Sequence, residues 1–387
     1  MKKLILAFLI VALWAAGCNS PTQVSTQTSA TENTPTSNTI QTSPAMPSSE
    51  GQYLSTLQND LDPLIKNWQS IIVNQPSSPR LSYSANLVFI SGVYLSQFHF
   101  SLDTLEKYAY ALKEAGVSRI DMNPSLGPWL KTDPQSEADR AHIDSLVSYI
   151  HSLGLQVVIN PEFMPGDLTV NQFSDYENAV LQVYPEIAKD HPDILILVHE
   201  PSTMASRMNL TISPAQWRQF VIDTSKVVKE ASPSTQIGAG VLYYEMPTFR
   251  QWLDPSLDYL TLDIYDPSHF DIYIQMIQLA QQHGKSVYVE ETWDSLYPGQ
   301  DKTDPENLTG ALAYQQADQL WLQAINLFAK AYRLTAITPF WSFTFFSYLQ
   351  TGQGVFGSPY ITQVRDAILQ GRTTRTFSDY QQIVNGG

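Results

Sequence analysis

Cysteine is nearly missing from this chain of 387 residues, which has one, Cys18. A single thiol excludes an intramolecular disulfide. Its position near the start leaves neither a thiolate metal cluster nor a cysteine nucleophile to the body of the chain. Basic residues are also scarce, 22 Lys and Arg against 37 Asp and Glu, for a formal charge of −15. That balance argues against nucleic acid and anionic lipid surfaces as partners and is neutral toward sugars. The apolar run at residues 4–14 is shorter than the ~20 residues that span a bilayer.

What is there begins with a short basic start, Lys2 and Lys3, then that apolar run, then Ala15-Ala16-Gly17-Cys18. This is the layout of a secretory signal with small residues before the cleavage point. It resembles a bacterial lipoprotein signal, which implies lipidation of Cys18 and a chain anchored to the bacterial membrane at the cell surface or outside it. Residues 19–50 are Ser, Thr, Pro, Gln and Asn with almost no large apolar side chain, so they are expected to form a disordered tether. Residues 51–387 remain for one folded domain, expected to be monomeric.

From residue 82 onward, strand-like apolar runs alternate with amphipathic helical runs. The strands are expected at residues 86–93, 119–122, 156–160, 194–198, 236–242, 259–264, 287–289 and 336–340. Helices are expected between and after them. Ser101 and Ser213 stand at helix starts, and Gly116, Gly154 and Gly284 follow helix ends. Eight βα units in order predict a single-domain (β/α)8 barrel. The strand-to-helix links are the long ones, rich in aromatics, Asn and Asp, and such loops are where barrels bind substrate.

Two strands end in carboxylates. Ile-Leu-Ile-Leu-Val delivers His199 and Glu200 before Pro201, and Val-Tyr-Val delivers Glu290 and Glu291 before Thr292 and Trp293. Acids at the end of a buried strand must be paired or must work. In one parallel sheet both pairs reach the same rim. Alternation along the second strand places Glu291 with Val287 and Val289, facing inward. A metal held by His199, Glu200 and Asp263 is the competing use of these groups. No other candidate strand ends in His, so neither metal nor other cofactor is expected.

These residues resemble clan A of the retaining glycoside hydrolases, the cellulase and β-mannanase superfamily of (β/α)8 barrels. The fourth strand ends His199-Glu200-Pro201 where that clan has Asn-Glu-Pro. The resemblance implies that Glu200 is the acid/base, Glu291 the nucleophile, Tyr265 a hydrogen-bond donor to the nucleophile and Trp341 the floor of the sugar site. His199 would replace the clan's Asn as a hydrogen-bonding group. Trp129, Asn160, Tyr243 and Trp293, at or just past strand ends, complete the expected substrate-binding set, since flat aromatic faces suit pyranose rings. The expected activity is double-displacement hydrolysis of a β-linked poly- or oligosaccharide. The alternative is a surface lipoprotein that keeps the barrel and binds carbohydrate without cleaving it.

Overall fold

The computed structural model describes residues 49–75, 80–253, 256–294, 308–348 and 357–386. Cys18, the expected signal and the expected tether up to residue 48 lie outside them, and residues 49 and 50, expected to end the tether, begin a helix. Eight parallel strands close into one barrel. They are β1 Ser82–Asn86, β2 Arg119–Met122, β3 Gln156–Ile159, β4 Ile194–Ile196, β5 Gln236–Val241, β6 Tyr259–Ile264, β7 Ser286–Thr292 and β8 Ala336–Pro339. Each pairs with its sequence neighbour, and β1 closes on β8. This is the (β/α)8 barrel that the alternating pattern predicts.

The first strand lies earlier than expected. Residues 86–93 form the last residue of β1, a 3-10 turn at Val88–Ile90 and the start of the helix Gly92–Phe98. The cause is the polarity of the barrel interior. β1 turns Ser84 and Asn86 inward, where Ser84 Oγ donates to Asp121 Oδ1 at 2.5 Å and Asn86 Nδ2 donates to Asn123 Oδ1. The apolar run that marks a strand in the sequence is instead a buried connection just past β1.

The interior is packed in two ways. Val158, Ile194, Ile196, Tyr288 and Ala336 form a separate cluster, and residues from β3, β4, β7 and β8 can meet only inside the barrel. Beside it, the Arg119 guanidinium lies 4.3 Å above the Tyr288 ring, and Asp121 accepts from Ser84 and Thr338. Val287 and Val289 belong instead to the shell between barrel and helices. They therefore point outward, and their alternation does not orient Glu291 as the sequence reading supposed.

A β-bulge decides that orientation. Leu262 pairs with Val289, but the next residue, Asp263, pairs with Glu291, so Glu290 is the extra residue. Glu290 follows Tyr288 inward by ordinary alternation, and the bulge then rephases the strand so that Glu291 faces inward as well. Both acids thus occupy the barrel centre.

Two helices extend the expected plan. Ser49–Val73, assigned no element from the sequence, packs on the helix Leu308–Ala331, with Trp68 edge-on to Phe270 at 4.9 Å and to Phe328 at 5.3 Å. Its Tyr53 hydroxyl donates to Asp294, which follows β7. Arg375–Asn385 closes the chain, and its Tyr380 hydroxyl donates to the carbonyl of Ser84 at 2.5 Å. Among the described residues no helix is long and apolar enough to cross a membrane.

Trp68 is fully buried, and truncating such a side chain removes its packing and leaves a cavity. Trp68→Ala is expected to lower the unfolding free energy by about 3–5 kcal/mol in urea denaturation. A loss under about 1 kcal/mol would show that the first helix is an appendage and not part of the fold.

Candidate active site

The rim formed by the carboxyl ends of the strands gathers an unusual density of acids. Glu200 follows β4 and adopts a left-handed backbone, φ +45°, directly before the helix Pro201–Arg207. A non-glycine residue held there costs about 1–3 kcal/mol and persists only where the surroundings enforce it. The enforcement is visible. The Glu200 N–H donates to Gly240 O at 3.1 Å. Pro201 brings no N–H, so the first free donor of the short helix is that of Ser202. Its N–H donates to Glu245 Oε1 at 2.6 Å, while Leu242 N donates to Glu245 Oε2 at 2.8 Å. A buried acid from the β5 loop thus fixes the turn that presents Glu200. Burial pushes the Glu245 pKa up to about 7.

Glu291, 5% exposed, has donors on both oxygens. Asn123 Nδ2 donates to Oε1 at 2.9 Å and the Tyr265 hydroxyl donates to Oε2 at 2.6 Å. Tyr265 follows β6, as the sequence pattern placed it. Asn123 follows β2 and is itself oriented by Asn86. His199 Nε2 lies 3.0 Å from Asp263 Oδ2 and 3.6 Å from Glu291 Oε1. Burial works against a charge on His199, but Asp263, Glu291 and Glu290 together hold its pKa well above the ordinary value. The setting of position 199 therefore favours the imidazolium form, within ion-pair distance of two acids.

Glu290, 2% exposed, sits deeper. Its Oε2 is hydrogen-bonded by the Thr261 hydroxyl, and its Oε1 has no hydrogen-bond partner. Gly240 makes room for it, because a Cβ there would collide with Thr261 Oγ1 and lie 2.9 Å from Glu290 Oε2 and 3.1 Å from His199 Cδ2. Burial pushes Glu290 up to about 8, with Asp263 adding to the rise and His199 opposing it. Burial also raises Glu200, opposed by His199, and it raises Glu291 well above the ordinary value, where His199 opposes and Asp263, Glu200 and Glu162 add, while the two donors on its oxygens work toward the ionised form. Within this coupled cluster protons settle where donors are fewest. That favours an ionised Glu291 and a protonated Glu290.

Four further groups reach the rim without having been singled out from the sequence. Arg207 Nη1 donates to Glu162 Oε2 at 3.0 Å and to Phe163 O at 3.3 Å, and its charge also bears on Glu200 and Glu291. Glu162 itself follows β3. Thr203 hydrogen-bonds Glu200, and the half-exposed Tyr244 feels the charge of Glu200. Asn123 had a legible signal, since it ends an apolar strand as Asn160 does. Arg207 and Glu162 had none, because a lone charge in a loop, or at the end of a helix of seven residues, carries no period.

The remaining expected residues divide. Phe340 N donates to Thr292 O at 3.1 Å, so Trp341, half-buried, stands on the same rim as Glu291. Tyr243 stacks on His269 with ring centroids 3.6 Å apart, beyond β5. Trp129 is half-buried on the short helix after β2. Asn160 is buried at the end of β3, and neither of its amide atoms has a partner. Trp293 differs from expectation. At 1% exposure and edge-on to Phe345, it is packed among its neighbours and offers no open face.

Two triads, Glu162 with His199 and Glu291, and His199 with Asp263 and Glu290, bring their ligand atoms within 4.8 Å. His199 Nε2 lies within ion-pair distance of Asp263 and Glu291, and Asn123 and Tyr265 already donate to the oxygens of Glu291. The donor set is that of a proton network, and we assign no metal to it.

No protein-family model matches the chain, and neither does any curated protein. Solved structures do. An exo-β-1,4-mannosidase from Opitutaceae bacterium strain TAV5 superposes with a TM-score of 0.57 at 15% identity over 80% of this chain. This chain spans 60% of that protein's length. A GH5_18 protein from Streptomyces cattleya, solved with GlcNAc, gives 0.52 at 10% identity over 80% of each chain. The cellulose synthase subunit Z of Clostridioides difficile gives 0.51 at 13% identity, covering 75% of this chain and 100% of that one. Such likeness establishes the fold, a (β/α)8 barrel.

The buried acids carry a consequence for stability. Glu290, Glu245 and Glu200 keep protons in the folded state that the unfolded chain releases near the ordinary Glu value of 4.5. Groups raised in this way contribute fully below the unfolded value, and their contribution is lost as pH rises toward the folded ones. The urea midpoint is expected to fall steadily from about pH 5 to about pH 8. A flat or rising profile over that range would contradict the assignment.

Proposed function

We propose that this chain is a retaining glycoside hydrolase that cleaves β-linked poly- or oligosaccharides. The observation that carries the proposal is the unequal treatment of two acids at one rim. Glu291, past the bulge of β7, is dressed with donors on both oxygens, whereas Glu200, half-buried after β4 in a left-handed turn, has the Thr203 side chain as its hydrogen-bond partner. Retaining hydrolysis asks for this asymmetry, one carboxyl that gives a proton and one that attacks.

In the first step Glu200, protonated through burial, gives its proton to the glycosidic oxygen while Glu291 attacks the anomeric carbon. The glycosidic bond breaks, the leaving sugar departs with the proton, and a glycosyl ester forms on Glu291. In the second step the Glu200 carboxylate takes a proton from water, the water oxygen attacks the anomeric carbon, and Glu291 leaves as a carboxylate. Tyr265 and Asn123 hold the attacking oxygens in place. His199 sets the charge between them and Asp263. Trp341, half-buried at the rim, is the proposed platform for a sugar ring, with Trp129, Asn160 and Tyr243 as the further proposed contacts.

The proposal extends to location. Cys18 would carry a lipid, and residues 19–48 would tether the barrel at the outer face of a bacterial membrane as a monomer. A polymer too large to enter the cell would then meet the site outside.

A panel of β-mannan, β-glucan, xylan and galactan tests the reading. Cleavage of one of them with the anomeric configuration retained in the first product, followed by proton NMR, is the expected result. Glu291→Ala is expected to lower turnover by several orders of magnitude and Glu290→Ala far less. Inversion, or tight binding without turnover that survives Glu200→Ala, would overturn the catalytic reading in favour of a binding protein.

A further inference from the structure

Glu290 has no part in the double displacement, yet it lies dry at the barrel centre beside the residue that does. Its surroundings come from five strands. Thr261 and Asp263 come from β6, His199 from the end of β4, Gly240 from β5, Asp121 from β2, and Tyr288 with Glu291 from its own strand β7. Arg119 lies over the far face of Tyr288. The positive charge within direct reach is His199, and Asp263 and Glu291 already divide it, with Nε2 contacts of 3.0 and 3.6 Å. A third carboxylate would have no cation to answer it. Its Oε1 would stand bare in a buried site crowded with other acids, a large cost for an ion and a small one for a neutral hydroxyl.

We infer that Glu290 is a positioning acid that stays protonated at neutral pH, a neutral carboxyl wedged between Thr261 and the His199–Asp263 pair, so that His199 remains shared with Glu291. Gly240 belongs to the same device, because only a residue without a side chain leaves space for that carboxyl. The upward push on the Glu290 pKa, to about 8, agrees with the geometry. On ionisation a new anion would compete for His199 and draw it from Glu291. The site thereby acquires an alkaline limit that belongs to neither of the two catalytic acids. The kinetic part of this inference rests on the glycosidase reading. The protonation itself does not.

Infrared difference spectroscopy on the intact protein tests it without any substrate. A protonated-carboxyl C=O band present at neutral pH, lost on raising pH with a midpoint near 8 and missing in Glu290→Gln, is the expected result. Identical neutral-pH spectra for wild type and Glu290→Gln would overturn the inference. Should Glu290→Gln fail to fold, Thr261→Val serves. It removes the one donor that favours the ionised form, so the midpoint should move up, and an unmoved or lowered midpoint would overturn the inference equally. On whichever of the four polysaccharides is cleaved, Glu290→Gln should shift the alkaline limb of kcat/KM upward by at least about one pH unit. A residue that merely fills space would lower activity and leave the limb where it was. Absence of cleavage would count against the glycosidase reading alone, since the infrared result stands apart from it.

Discussion

Everything at this rim depends on one imidazolium. His199 is the cation set between Asp263 and Glu291 in a region from which water is largely excluded, and unpaired charge in such a place is prohibitively costly. With His199 the one cation among the described residues set directly between Asp263 and Glu291, the other acid beside it must be neutralised by a proton or answered by neutral donors. Asn123 and Tyr265 answer Glu291 in the second way. Glu290, with a single hydroxyl partner, is left to the first. Arg207 plays the corresponding part farther out, paired with Glu162 and within electrostatic reach of Glu200.

The backbone makes that arrangement possible at three points. The bulge between Val289 and Glu291 turns two successive acids to the same side, which a regular strand cannot do. The left-handed turn at Glu200 lifts its carboxyl off the line of β4, and Glu245 secures the turn from the neighbouring loop. Gly240 clears the volume that the cluster fills. Each irregularity is a local cost placed where the chemistry is proposed to occur, and the regular helices and apolar shell around the barrel sustain it.

The barrel was legible because its signal is periodic. Seven of the eight strands lie where apolar runs put them, and the exception is instructive. β1 is polar on its inner face, at Ser84 and Asn86, so the apolar run at residues 87–90 marked the wrong segment. Glu200, Glu291, His199 and Tyr265 could be found because each stands at a strand end, and the structure brings all four to one rim. The inward direction of Glu291 could not be derived by alternation. A bulge has no signature in a single sequence, and the outward Val287 and Val289 misled. Trp293 shows the same limit, since an aromatic just past a strand end can be platform or packing, and only its burial tells. Glu162, Arg207 and Glu245 act from a loop, a short helix and a 3-10 turn past the strand ends, too short for any period to announce them.

The central claim is that Glu291, on the far side of the bulge, is the group that attacks the sugar. The most direct measurement is to incubate the protein with a 2-deoxy-2-fluoro glycoside of the sugar it cleaves, digest it and locate the bound sugar by peptide mass spectrometry. The account predicts one sugar per chain, esterified to Glu291. A label on Glu290 would contradict it.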